Sequence, residues 1–122
     1  MAVIQSDQPT ILLVGSDAAL SYLIQRYARR SGFQVHVESL PTMSAETPTL
    51  RPAVVWFLSL ESLAASRPRD TGLVSEDTPL VVCSSVVDEV QARKFGADYC
   101  AVHPLTYADF LTALSAVGVA IQ

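Results

Sequence analysis

Charge is scarce in this chain of 122 residues: only 16% are Asp, Glu, Lys or Arg, and Lys94 is the single lysine, against roughly 25% charged residues in an average domain. Eight basic residues stand against twelve acidic ones, a net charge of -4. That balance removes the electrostatic ground for nucleic acid or an anionic membrane surface as a partner. Long hydrophobic runs are missing as well. The longest wholly apolar stretch, Ala53 to Leu58, is far shorter than the ~20 residues that cross a bilayer. The opening MAVIQSDQPT has neither the basic region nor the apolar stretch of a signal peptide. With two cysteines and no CxxC, neither a disulfide framework nor a redox motif is indicated, so reduced thiols in a cytoplasmic protein are expected. Neither phosphate-binding glycine fingerprint can be written, and the nucleophile elbow GxSxG is absent, which sets aside a hydrolase triad of Ser84, Asp17 and His103.

Half of the residues are hydrophobic, enough to fill one core, and a single domain over residues 1–122 is expected. Ile11 to Val14, ending at Gly15, reads as a strand buried on both faces. Ala19, Leu20, Leu23, Ile24, Tyr27 and Ala28 recur at helical spacing, with Asp17 as N-cap and Gly32 as the stop after Arg29 and Arg30. Phe33 to Glu38 is a second strand, and Pro41, Pro48 and Pro52 leave room only for a short or irregular helix after it. Ala53 to Leu60 is a third strand followed by a helix from Glu61 to Ser66, and Leu80 to Cys83 is a fourth. A helix from Val87 to Phe95 closes at Gly96, a fifth strand spans Tyr99 to Val102, and TYAD (Thr106 to Asp109) is a capping box opening the last helix. Five strands alternating with about five helical segments require right-handed crossovers. The expected fold is α/β: a three-layer, doubly wound, five-stranded parallel sheet of flavodoxin-like type, with its site at the carboxyl ends of the strands.

At those strand ends the chain resembles the receiver domain of bacterial two-component response regulators, the CheY-like family, from Ile11 to about Val117. TPLVVCSS (Thr78 to Ser85) and GADYCAVHPL (Gly96 to Leu105) are similar to that family's fourth strand and to its Gly-Ala, fifth strand and Lys-Pro ending. ILLVGSD (Ile11 to Asp17) and RPAVVWFL (Arg51 to Leu58) resemble its first and third strands. The family transfers a phosphoryl group to an aspartate, with a metal on acidic side chains, a Lys and a Ser or Thr around it. Carried over by position, the acidic pair falls on Gly15 and Ser16, leaving Asp17 after it, and the phosphoacceptor falls on Leu58. No aspartate lies between Asp17 and Asp70, so no shift of register restores one. The Lys position is His103, the hydroxyl position is kept as Ser84, and the aromatic switch position is Cys100, with Tyr99 on the opposite face of the strand. A cis His103–Pro104 bond is implied by the same resemblance.

Leucine cannot accept a phosphoryl group, and one carboxylate is a poor magnesium site. The resemblance therefore implies a degenerate pocket with no metal and no cofactor, in a protein that is not an enzyme. The expected function is a pseudo-receiver: a phosphorylation-independent protein-interaction module in two-component-type signal transduction. With no room for an output domain after Val117, the signal is expected to pass to a protein partner. The working surface is expected on the face of the 87–95 helix, the fifth strand and the last helix, where Gln91, Lys94, Tyr99, Ala101, Tyr107 and Thr112 fall, a face also available for a homodimer. The alternative is a small-molecule sensor using the vacated pocket of Ser16, Leu58, Ser84, Ser85 and His103. Cys83 and Cys100 lie on neighbouring strands, so a redox pair is conceivable beside the simpler reading of two buried thiols. Arg26, Arg29 and Arg30 suit the negative end of the first helix dipole.

Overall fold

A computed structural model describes residues 9–14, 18–38, 53–68, 74, 77–84, 89–102 and 105–119. The elements in chain order are β1 (Thr10–Val14), α1 (Ala18–Arg30), β2 (Gln34–Glu38), β3 (Val55–Ser59), α2 (Leu60–Ser66), β4 (Leu80–Ser84), α3 (Glu89–Lys94), β5 (Tyr99–Val102) and α4 (Tyr107–Ala116). All five strands pair in parallel, in the order β2-β1-β3-β4-β5. The chain thus works outward from β1 in one direction and then, from β3, in the other. This reversal beside β1 is the switch point at which sheets of this type hold their sites. The fold class expected from the sequence is the one observed. The second crossover, between β2 and β3, lies outside the described residues, as do Asp17 and the His103–Pro104 bond.

Strand alternation divides the interior in two. Ile11, Leu13, Val55, Phe57, Val81, Cys83 and Ala101 point to the face covered by α1 and α4, where Leu20, Ile24, Ala28, Phe110, Ala113 and Leu114 meet them. Val14, Trp56, Leu58, Leu80 and Val82 point to the other face, under Leu63 of α2 and Ala92 of α3. Burial on both faces is why β1, β3 and β4 read as continuous apolar runs rather than alternating ones.

Local signals set the element ends. Gly32 (φ 86°) and Gly96 (φ 104°) take the left-handed conformation after α1 and α3, and the Phe33 and Ala97 amides then donate to the carbonyls of Ala28 (2.8 Å) and Ala92 (3.0 Å). Asp98, the residue after the Gly-Ala pair, accepts from the Leu80 amide at 2.8 Å while its own amide donates to the Leu80 carbonyl at 2.8 Å, tying the start of β4 to the turn before β5. Thr106 and Asp109 form the reciprocal capping box read from TYAD. The third strand is shorter than expected: Ser59 turns the chain into α2 by accepting from the Ser62 amide at 3.1 Å, so Leu60 is helical.

Candidate functional site

The carboxyl ends of β1, β3, β4 and β5 line up through the sheet register: Val14 lies opposite Leu58, Leu58 opposite Val82, Ser59 opposite Cys83 and Ser84 opposite Val102. Leu58 is at the centre of this row with 0% of its surface exposed, in one cluster with Val14, Val82, Leu63 and Ala92. Its side chain occupies the interior on the α2 and α3 side. Chemically this strand end offers a hydrocarbon contact, with no lone pair to attack an electrophile or hold a cation. Ser59 is engaged as the α2 cap, and its hydroxyl also donates to Ser62 Oγ at 3.0 Å. Glu61, the acid closest in sequence, is exposed. Among the described residues no group of three or more His, Cys, Asp or Glu side chains could hold a metal ion.

Of the residues assigned to the pocket, Gly15, Ser16, Asp17 and His103 lie outside the described residues, and Ser84 is placed only by its backbone as the last residue of β4. Cys100 is half-buried and packs against the α2 and α3 side, whereas Cys83 is buried on the α1 and α4 side. The sheet separates the two sulfurs, which corrects the idea of a redox pair: neighbouring strands brought the residues close, but alternation sends their side chains to opposite faces. Burial, with a smaller contribution from Cys100, pushes the Cys83 thiol from 9.0 to about 12, so it is inert near neutrality.

The structure places the residues assigned to the contact face as follows. Gln91, Lys94 and Thr112 are exposed. Ala101, however, is only 6% exposed and belongs to the α1 and α4 core, because it follows Cys100 on the inward side of β5. Tyr99 is half-buried against the same core. Tyr107 turns toward α1: its hydroxyl shares a hydrogen bond with buried Ser31 at 2.9 Å, its ring lies 5.6 Å from that of Tyr27, and the Arg30 guanidinium stands 4.3 Å over it. Tyr99 and Tyr107 are thus both half-buried, with part of each side chain in internal packing.

The helical spacing of Tyr27 predicts only an apolar contact, and the structure gives it more. Its hydroxyl donates to the Leu105 carbonyl at 2.8 Å, and its ring lies 5.7 Å from Phe110, itself 5.5 Å from Phe57. Together Tyr27, Ser31 and Tyr107 fasten α1 to Leu105 and the start of α4. The signal available beforehand was the phenol itself, since a tyrosine on a buried helix face needs an acceptor.

No family model and no curated protein matches the sequence. Solved structures do match the fold. A response regulator from Thermotoga maritima superposes with a TM-score of 0.66 at 17% identity, over 90% of this chain and 97% of that one. The non-phosphorylated HemR receiver domain from Leptospira biflexa gives 0.69 at 16%, over 93% and 97%, and the chemotaxis protein CheY4 of Vibrio cholerae gives 0.69 at 14%, over 90% and 98%. The fold is that of a response regulator receiver domain. In this receiver fold the row Val14, Leu58 and Val82 lies at the carboxyl edge beside the switch point, and no described helix is long and apolar enough to cross a membrane.

Proposed function

We propose that the chain is a pseudo-receiver, a phosphorylation-independent protein-interaction module of two-component-type signalling, and not an enzyme. The observation that carries this reading is Leu58: the residue at the phosphoacceptor position of the resemblance is an aliphatic side chain with 0% exposure. Phosphoryl transfer relies on positioning a nucleophile and neutralising the charge that develops around it. Leucine supplies no nucleophile, Gly15 and Ser16 supply no carboxylate for a metal, and His103 replaces the lysine charge. What remains is a packed sheet with helices on both faces, which offers surfaces for docking. The small-molecule alternative draws less support, because a fully buried Leu58 presents no surface to a ligand.

The test is incubation with acetyl phosphate or beryllofluoride and magnesium, read by intact mass and by fluorine NMR. Unchanged mass and no bound beryllofluoride are expected. A stoichiometric, hydroxylamine-labile phosphoryl adduct would place a working acceptor elsewhere and overturn the reading.

A further inference from the structure

The docking face of a module of this kind is expected to expose aromatic and arginine side chains. With Tyr99 and Tyr107 half-buried, the exposed tyrosine is Tyr22 on α1, 61% exposed. It shares the outer side of that helix with Arg26 and Arg29, while Leu20, Ile24 and Ala28 face the core. Tyr22, Gln25, Arg26 and Arg29, with Ala18 and Ser21, line an open groove of about 540 Å³.

The charge on this helix is one-sided. α1 carries three of the chain's eight basic residues, Arg26, Arg29 and Arg30, and none of its twelve acids. The whole chain carries -4, so the residues outside α1 sum to -7. Within the helix, Arg26 has like-charged neighbours at i+3 and i+4, and no carboxylate stands at helical spacing to offset them, an arrangement that disfavours the isolated helix. Arg30 is committed to the Tyr107 ring. The Arg26 guanidinium donates to the Tyr22 hydroxyl at 3.1 Å, which holds it in place on the surface, and no ion pair is made by Arg26 or Arg29 among the described residues. Two guanidinium groups one helical turn apart, one already oriented, beside a phenol and an amide, match carboxylates at the same spacing, since Arg binds carboxylate through paired N–H donors.

We infer that the outer face of α1, centred on Tyr22, Arg26 and Arg29, docks an acidic helical segment of a partner protein whose carboxylates stand one turn apart. The footprint from Tyr22 to Arg29 is about 10 Å long at 1.5 Å per residue, the length of two turns of a partner helix. A long polyanion is less well served, because it would run past this patch onto a surface of opposite preference, the -7 carried by the rest of the chain. The inference rests on the interaction-module reading and supplies the partner's chemistry.

The experiment uses fluorescence anisotropy with a labelled amphipathic peptide bearing Glu pairs one turn apart, the same peptide with Gln for Glu, and a single-stranded oligonucleotide. The protein variants are Arg26→Glu with Arg29→Glu, a milder pair with Gln at both positions, and Arg93→Glu with Lys94→Glu on α3 as a control of equal charge change. Circular dichroism confirms that each is folded. The expected result is salt-sensitive binding of the Glu peptide, weakened about tenfold or more by the α1 Glu pair, less by the Gln pair, and little by the α3 pair, with no binding of the Gln peptide. Equal loss in the α3 control, no loss in either α1 variant, or oligonucleotide binding as tight as the peptide's would overturn the inference. So would sedimentation of the wild type as a dimer that the α1 Glu pair dissociates, since the face would then belong to a second copy. None of these outcomes changes the phosphodonor result, and phosphoryl uptake would defeat the module reading without altering the peptide binding measured.

Discussion

Replacing Leu58 with aspartate would put a carboxyl group into the apolar packing at the end of β3, and the structure says what that would do. Leu58 is 0% exposed and packed among Val14, Val82, Leu63 and Ala92. Truncating a leucine at such a position costs about 2 to 5 kcal/mol through lost burial and the cavity left behind. An unpaired carboxylate in the same space adds a desolvation penalty of at least ~1 kcal/mol. The sum, about 3 kcal/mol or more, is a large part of the roughly 5 to 15 kcal/mol that holds a domain folded. At about 4 °C per kcal/mol for a chain of this size, the midpoint of thermal unfolding should fall by about 12 °C or more. Leu58→Met, which keeps the volume, should cost less than about 1.5 kcal/mol. The penalty should also depend on pH. Burial raises the carboxyl of the folded variant above its unfolded value, so the penalty is smallest in acid, where both states are protonated. It grows as pH rises through the ordinary aspartate range. Thermal and urea unfolding at acid and neutral pH measure this directly. A Leu58→Asp protein with wild-type stability at neutral pH, or one that captures beryllofluoride, would show that the side chain faces an open polar pocket and would refute the argument from burial.

The thiols give a second expectation: near neutral pH a disulfide reagent should modify Cys100 alone in the folded protein, Cys83 reacting only in denaturant, and rapid modification of Cys83 would contradict its burial. Because the Cys83 thiol is raised to about 12 in the folded state, its contribution to stability is complete below 9.0, the value for an ordinary thiol, and is lost as pH rises from there toward 12. Alkaline unfolding of Cys83→Ala against wild type isolates that contribution. The phenol contacts that join α1 to the β5–α4 turn give a third. Tyr27→Phe should destabilise by about 1 kcal/mol, leaving the Leu105 carbonyl without its donor, and should raise amide exchange at the start of α4; unchanged exchange there would mean that the contact does not fasten the turn.

The sequence alone carried the elements and their order. Strands buried on both faces announce themselves as apolar runs, and the glycines after α1 and α3 and the TYAD capping box mark ends through chemistry confined to a few neighbouring residues. That the apolar run of β3 ends on Leu58 and Ser59 is read directly from the sequence by counting along it; that Leu58 is fully buried there is what the structure adds. What counting could not decide was which way side chains point across strands and helices. Cys83 and Cys100 pack on opposite faces of the sheet, Ala101 faces the core, and Tyr107 packs against Tyr27 and Arg30. The packing of the tyrosines depends on residues 76 or more positions apart meeting in space, as Ser31 meets Tyr107 and Tyr27 meets Leu105. Local periodicity determines an element and its apolar face; only the packing of α1 and α4 on one side of the sheet decides which polar atoms on those faces find each other, and therefore which tyrosine is left exposed.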